Sequence, residues 1–125
     1  MRAIVIDDSR AMRGILKRIL VGSGFDVTEA ADGQQALTML GMMSRPHLAL
    51  VDWNMPNMNG LQFIRAIRAD ASYDTMKIVM VTTEVEMHHI TISLEAGANE
   101  YVMKPFTEES LRDKLAMLGL DREAA

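Results

Sequence analysis

The sequence predicts a single α/β domain, a doubly wound parallel sheet of five strands covered by five helices. Two continuous apolar runs, Leu48–Val51 and Ile78–Val81, are typical of strands buried on both faces. Segments with helical periodicity alternate with the predicted strands, and such alternation requires right-handed crossovers between parallel strands. The 125 residues, 49% of them apolar, are enough for one compact core. These patterns leave the strand order open.

The first half of the chain supplies two strands and two helices. The first strand, Arg2–Ile6, precedes a helix with apolar positions at Met12, Ile15, Leu16, Ile19 and Leu20. The basic residues of this helix are predicted to form its solvated side, and a phosphate-binding patch is the alternative. They are Arg10, Arg13, Lys17 and Arg18. After the Gly22–Gly24 stop, Phe25–Ala30 alternates like a strand near the sheet edge. The second helix is marked by Ala36, Leu37, Leu40 and Met43.

The second half begins with the buried strand that ends at Asp52. The third helix is predicted to bury Leu61, Ile64 and Ile67 and to expose Arg65 and Arg68. After the strand ending at Thr82–Thr83, a fourth helix is marked by Met87, Ile90 and Leu94 and closed by Gly97. A short strand, Tyr101–Met103, leads to a final helix capped by Thr107, with Leu111, Leu115 and Leu118 inside. We expect one domain over residues 1–120 and a tail at 121–125.

Composition excludes several classes of protein. The formal charge of −4 disfavours broad binding to nucleic acid or to anionic membranes. The chain has no apolar run long enough to span a bilayer, and a strand follows Met1 too closely for a signal peptide. The absence of cysteine rules out disulfides and thiol chemistry. We therefore expect a monomeric cytoplasmic protein that binds neither nucleic acid nor membrane.

Polar residues stand at the ends of four predicted strands. They are Asp7, Asp8, Asp52, Thr82, Thr83 and Lys104. Each has a plain structural alternative, because an Asp or Thr can cap the next helix and a Lys can be a surface cation. Parallel strands, however, bring all their carboxyl ends to one edge of the sheet, where ligands bind in open α/β folds. The joint occurrence therefore favours one site.

The residue types at this edge suit phosphoryl transfer. Three neighbouring carboxylates repel one another, so a proton or a cation must lie among them. Carboxylate oxygens with open coordination positions favour Mg²⁺. A carboxylate beside that ion can act as a nucleophile and form an aspartyl phosphate, while an ammonium and a hydroxyl hydrogen-bond the phosphoryl oxygens.

The ordered set of motifs resembles the receiver domain of two-component response regulators, closest to the single-domain chemotaxis regulators. The motifs are Asp7–Asp8 after the first strand, VDWNMPNMNG around Asp52, Thr82 after the fourth strand, and Lys104–Pro105–Phe106 after the fifth. The resemblance covers essentially the whole chain. It implies a flavodoxin-like fold with strand order 2-1-3-4-5.

The resemblance also implies the roles of the site residues. Asp52 would be the phosphoacceptor, and Mg²⁺ would be held by Asp8, Asp52 and the Asn54 carbonyl, with Asp7 helping through water. Lys104, which would precede a cis bond to Pro105, would contact the phosphoryl group. In the switch, Thr82 would move toward the phosphoryl group and Tyr101 would follow inward.

Partners follow from the same resemblance. A histidine kinase would donate the phosphoryl group, and a downstream protein, the flagellar motor or another effector, would read the face formed by the fourth helix, fifth strand and fifth helix. The candidates on that face are Met87, Tyr101, Met103 and Lys114. The protein would catalyse only its own phosphorylation and dephosphorylation. A phosphorelay shuttle, or a receiver domain of a longer regulator, is the alternative.

One residue departs from the family pattern. Thr83 stands where the family usually has a small residue, which leaves the phosphate lifetime open.

Three other classes of protein compete with this interpretation. A flavin-binding protein would need a hydroxyl- and glycine-rich phosphate loop in place of Asp7–Arg10. A phosphatase acting through an aspartyl phosphate would need a substrate-recognising cap, for which the chain has no insertion. A receiver that binds partners without phosphorylation would not need the intact set of acids, Thr82 and Lys104.

Overall fold

The computed structural model describes residues 1–83 and 88–120, which form one sheet and its covering helices. The strands are β1 (Arg2–Ile6), β2 (Asp26–Ala30), β3 (Leu48–Asp52), β4 (Lys77–Thr83) and β5 (Glu100–Lys104). The α-helices are α1 (Arg10–Gly22), α2 (Gly33–Leu40), α3 (Gly60–Arg68), α4 (Ile90–Ala96) and α5 (Glu108–Met117). A 3-10 turn at Ala71–Tyr73, which the periodicity did not predict, lies between α3 and β4.

All five strands are parallel, in the order β2-β1-β3-β4-β5. The predicted fold class and strand order are therefore confirmed. The central strand β3 is buried at every residue, as its continuous apolar run predicted, whereas β2 lies at the edge and is only partly buried.

Side chains that alternate along the strands form two apolar layers, one on each face of the sheet. On one face Ile4, Val51 and Met80 pack with α2 and α3. On the other face the sheet packs against α1 and α5, with Leu16 and Leu111 fully buried. Both layers hold the carboxyl ends of β1, β3, β4 and β5 in fixed register, so side chains at that edge have a rigid base.

Two residues predicted to face the core are exposed instead, and a third is only partly buried. Ile15 in α1 is 42% exposed and Leu94 in α4 is 41% exposed, while Leu61 in α3 is only partly buried. The buried positions of α3 and α4 include Phe63 and Ser93. Each helix touches the sheet along a narrow stripe, and an apolar residue one position beside that stripe falls outside it.

The prediction that Arg68 faces solvent is wrong. Its guanidinium donates hydrogen bonds to the carbonyl oxygens of Gly97 (3.0 Å), Tyr73 (2.7 Å) and Met76 (2.7 Å). It also lies 3.0 Å from Oδ1 of Asn99. Arg68 therefore links the end of α3 to the turn before β4 and to the α4–β5 connection.

Two predictions fall outside the described residues: Met87 and the tail at 121–125. Among the residues that are described, no helix is both long enough and apolar enough to cross a membrane.

Candidate functional site

The strand-end polar residues meet at one edge of the sheet. Asp7 follows β1 directly, Asp52 ends β3, and Lys104 ends β5. Asp52 lies opposite Val81 in β4, one residue before Thr82, and Thr83 lies opposite Lys104 in β5. The parallel register thus brings together residues that are up to 97 positions apart in the chain.

Three carboxylates form the centre of this site. One oxygen from each of Asp7, Asp8 and Asp52 can be chosen so that all three lie within 4.8 Å of one another. Asp7 and Asp52 are buried, and Asp8 is exposed. Oδ2 of Asp7 is buried without a hydrogen-bond partner among the described residues. A divalent cation fits this set, because hard oxygen ligands converge on it and one side remains open. Asn54 is exposed in the loop after β3.

Lys104 supplies the positive charge that partly compensates these acids. Its Nζ lies 3.2 Å from Oδ1 of Asp52 and 3.5 Å from Oδ2 of Asp7. The side chain is 19% exposed, so this ion pairing is only weakly screened by solvent. The peptide bond from Lys104 to Pro105 is cis, as the family resemblance implied.

The electrostatic balance favours a protonated or cation-bound site. The pKa of Asp52 is raised to about 6, first by burial and then by the charge of Asp7, with Lys104 acting in the opposite direction. Burial lowers the pKa of Lys104, but the carboxylates of Asp52 and Asp7 outweigh it, so the net shift is upward. Lys104 is therefore cationic at neutral pH, while Asp52 is held in an environment that resists its negative charge.

The backbone around the acids is tied down locally. The amide of Asp7 donates to the carbonyl of Ala30 (3.1 Å), and the amide of Ser9 donates to Oδ1 of Asp7 (2.8 Å). Ser9 also caps α1 through its hydroxyl, which accepts from the amide of Met12. The short β1–α1 connection thus presents Asp7 and Asp8 at the sheet edge.

Gly60 allows the β3–α3 loop to close against the phosphoacceptor candidate. A Cβ at this position would lie 2.7 Å from the carbonyl oxygen of Asp52 and 3.0 Å from Cα of Trp53. The Gly60 amide donates to the Trp53 carbonyl (2.9 Å), and Asn59 forms a capping box with Gln62. Any larger residue at position 60 would push this loop away from Asp52.

Thr82 and Thr83 differ in their surroundings. Thr82 is 1% exposed, and its hydroxyl lies 3.4 Å from the carbonyl oxygen of Thr83. Thr83 is partly buried at the end of β4. Both residues therefore lie beside the acid cluster in the sheet register, one in the core and one nearer the surface.

Three of the residues predicted for the partner face, Tyr101, Met103 and Lys114, lie close together on β5 and α5. Nζ of Lys114 lies 5.0 Å from the ring centroid of Tyr101 and 3.1 Å from Oε1 of Glu100. Met103 is 36% exposed. Together with Phe106 and the start of α5, Tyr101, Met103 and Lys114 line an open cavity of about 320 Å³.

Sequence reasoning missed three contributors near the site. Arg13, predicted to be solvated, donates to the carbonyl of Asp7 (2.7 Å). His89 stacks on Trp53 with ring centroids 4.1 Å apart, and Glu100 forms an ion pair with Lys114. A basic residue at the edge of an amphipathic helix gives no sign of a distant carbonyl partner. Only the DDSRAMR spacing, which puts Arg13 one turn beyond Ser9, could have suggested it.

Comparisons with known proteins give a consistent result. Residues 3–116 match the family described as the response regulator receiver domain. The chain is 42% identical over 116 residues to a chemotaxis protein CheY homolog of Campylobacter jejuni, covering 92% of this chain and 89% of that protein. It is 39% identical over 119 residues to chemotaxis protein CheY1 of Helicobacter pylori, covering 94% and 96%.

Solved structures show the same architecture. The chemotaxis protein CheY4 of Vibrio cholerae superimposes with a TM-score of 0.86 at 32% identity, covering 94% of this chain and 97% of that one. A response regulator from Chloroflexus aurantiacus superimposes with a TM-score of 0.87 at 26% identity, covering 94% and 95%.

Proposed function

The chain belongs to the response regulator receiver domain family, and from that premise we propose that it is a phosphorylatable chemotaxis-type receiver with Asp52 as its phosphoacceptor. Residues 1–120 would form the receiver domain. A histidine kinase would be the donor, and a downstream protein would bind the phosphorylated form. In this proposal the protein is a signalling component rather than an enzyme acting on other molecules.

The observation that carries the proposal is the contact between Lys104 and two acids. A cation 3.2 Å from Asp52 and 3.5 Å from Asp7 would lie beside the oxygens of a phosphoryl group attached to Asp52. There it would stabilise the charge that develops on those oxygens during transfer. The same ammonium would pair with the phosphoryl group afterwards. A purely structural Lys–Asp pair would not need the second and third carboxylates.

The transfer step follows from the Asp52 carboxylate. One of its oxygens attacks the phosphorus, the bond from phosphorus to the donor nitrogen breaks, and the imidazole nitrogen keeps the electron pair. Mg²⁺, held by Asp8, Asp52 and the Asn54 carbonyl with Asp7 acting through water, would supply positive charge at the phosphoryl oxygens. Hydrolysis would end the phosphorylated state: water attacks the phosphorus, the bond from phosphorus to the Asp52 oxygen breaks, and inorganic phosphate leaves the free carboxylate.

The switch would use residues of the neighbouring strands β3, β4 and β5. A phosphoryl group on Asp52 would draw the Thr82 hydroxyl toward it, and Tyr101 would move inward from its position beside Lys114. Because the phosphoryl group makes these contacts only in the active arrangement, it would shift an existing equilibrium. The face of α4, β5 and α5 would report the change, with Tyr101, Met103 and Lys114 as contacts.

Chemotaxis is the process that the relatives favour. The Campylobacter and Helicobacter proteins, both described as chemotaxis proteins, match this chain over nearly their whole length. A phosphorelay shuttle remains the second candidate, since its chemistry would use the same site. Transfer of the phosphoryl group from the phosphorylated protein to a second histidine domain would distinguish a phosphorelay shuttle from a protein that binds the flagellar motor.

The test is phosphorylation by acetyl phosphate with and without Mg²⁺, followed by intact mass. We expect a mass increase of one phosphoryl group that requires Mg²⁺ and disappears in Asp52→Asn. Asp26→Asn is the matched control, because Asp26 is an exposed carboxylate at the start of β2, the amino end of the sheet. Mg²⁺-independent modification, or labelling that persists in Asp52→Asn, would contradict the proposal.

A further inference from the structure

Arg13 is the basic residue of α1 that does not face solvent. Its side chain is 16% exposed, compared with 48% for Lys17 one turn later. Its Nη1 donates to the carbonyl oxygen of Asp7 at 2.7 Å, and its Nε lies 3.2 Å from Oε1 of Glu29 in β2. The guanidinium therefore joins α1 to the end of β1 and to the edge strand.

The carbonyl that Arg13 binds belongs to the segment that carries the acids. In this segment the Asp7 amide is held by Ala30 in β2, and the Ser9 amide is held by Oδ1 of Asp7. The third hydrogen bond that fixes this segment runs from Arg13 to the Asp7 carbonyl. Asp8 lies between these tethered residues and is exposed, so its direction depends on the backbone on either side of it.

The charge of Arg13 is already balanced by another group. Glu29 pairs with Arg13 through Oε1 and with Lys17 through Oε2, at 3.6 Å. The effect of Arg13 on the acids should therefore come from geometry more than from its charge. A planar guanidinium can donate in two fixed directions at once, whereas an ammonium cannot reproduce that fork.

We propose that Arg13 is a positioning residue of the cation site: it sets the backbone of Asp7 and Asp8 so that their carboxylates converge with Asp52. The inference rests on the proposed function, because it concerns the affinity of the same acid cluster for Mg²⁺. Residues that orient metal ligands from outside the coordination sphere typically change metal affinity by about 10- to 100-fold when replaced.

The test is the Mg²⁺ dissociation constant of folded variants, measured from Trp53 fluorescence and by calorimetry. In Arg13→Lys and Arg13→Met we expect the affinity to fall by about tenfold. The matched control is Lys17→Met, which removes the other cation on Glu29 without touching Asp7 and should leave the affinity unchanged. Glu29→Gln keeps an acceptor for Arg13 and should also bind nearly as well as wild type.

A second readout separates positioning from general destabilisation. In phosphorylation by acetyl phosphate, the Arg13 variants should need more Mg²⁺ for half-saturation but reach the wild-type rate when Mg²⁺ is saturating. Amide resonances of Asp7 and Asp8 should shift in the metal-free Arg13→Lys variant and stay in place in Lys17→Met.

Three outcomes would overturn the inference. The first is an unchanged Mg²⁺ affinity in folded Arg13→Lys, and the second is an equal loss of Mg²⁺ affinity in Glu29→Gln, which would assign the effect to charge. The third is a phosphorylation rate of the Arg13 variants that stays below the wild-type rate at saturating Mg²⁺. If the wild-type protein itself bound no Mg²⁺, the proposed function would fail, which is a separate result.

Discussion

The indole ring of Trp53 stacks on the imidazole ring of His89, with centroids 4.1 Å apart and planes 10° from parallel. Trp53 follows Asp52 directly, and His89 is the residue before the first turn of α4. The stack therefore connects the end of the central strand to the start of a helix on the predicted partner face. Trp53 is partly buried and also packs against the core layer of α2 and α3.

This stack predicts that Trp53 emission reports the position of α4. In His89→Ala the indole loses its stacked neighbour, so the metal-free protein should show emission at longer wavelength, as expected for a more solvated ring. The additional change on adding beryllofluoride with Mg²⁺ should also be smaller. His88→Ala is the matched control, because His88 is exposed and contacts the His89 ring rather than being stacked on Trp53. Equal spectra in the two variants would contradict this interpretation.

The raised pKa of Asp52 predicts a pH dependence of stability in the metal-free protein. The folded state holds a proton on Asp52 up to about pH 6, whereas the unfolded chain releases it near the ordinary value of 3.8. Because the native state binds more protons in that window, its stability should fall as the pH rises through it. Asp52→Asn should remove this contribution and stabilise the metal-free protein near neutral pH by about 1–2 kcal/mol, allowing for solvent screening.

Urea unfolding in the absence and presence of Mg²⁺ measures this effect. The difference between wild type and Asp52→Asn should shrink toward acid pH and reverse when Mg²⁺ is added, since the ion needs the carboxylate. Asp26→Asn should show neither trend. A stability difference that does not vary with pH would mean that Asp52 titrates normally.

Arg68 is predicted to be a main contributor to stability outside the site. Its hydrogen bonds to three carbonyls and to Asn99 join α3, the turn before β4 and the α4–β5 connection. Arg68→Ala would remove all four hydrogen bonds, although the Tyr73 carbonyl and Oδ1 of Asn99 would still accept from the amides of Met76 and Ile78. We expect a loss of about 2–4 kcal/mol in the free energy of unfolding. Arg65→Ala, an exposed position on the same helix, should change it by less than about 0.5 kcal/mol.

The neighbouring glycine provides an independent check on Arg68. Gly97 has φ +126°, and a Cβ there would lie 2.6 Å from Cγ of Arg68. Gly97→Ala should therefore destabilise the protein both through its backbone and by displacing Arg68. If the two substitutions are combined, the losses should be less than additive, as expected for residues in contact.

Thr83 is predicted to control how long the phosphoryl group persists. Its branched side chain ends β4 opposite Lys104, where it can hinder the approach of water to a phosphoryl group on Asp52. Thr83→Ala should therefore speed dephosphorylation without changing the Mg²⁺ requirement. Loss of phosphate after rapid removal of the donor measures the rate, with Thr75→Ala, in the turn before β4, as the control. A slower rate in Thr83→Ala would show that the hydroxyl assists the attacking water.

Much of the architecture could be predicted because its signals are local. The apolar runs of β3 and β4 and the cap at Thr107 depend on residues within a few positions of one another. The family resemblance added the strand order, which periodicity cannot supply. The meeting of Asp7, Asp52 and Lys104 at one edge followed from the rule that parallel strands share their carboxyl ends.

The fold class, the order of the five strands and five helices along the chain, and the polar residues that end the strands all follow from the amino-acid pattern. The carbonyl contacts of Arg13 and Arg68 and the stacking of His89 on Trp53 become visible only in the folded protein. The same holds for the positions of Ile15 and Leu94 outside the core. The physical reason is that hydropathy patterns describe a residue's own helix or strand. A hydrogen bond or ring contact between distant segments depends on how the crossovers place those elements beside one another.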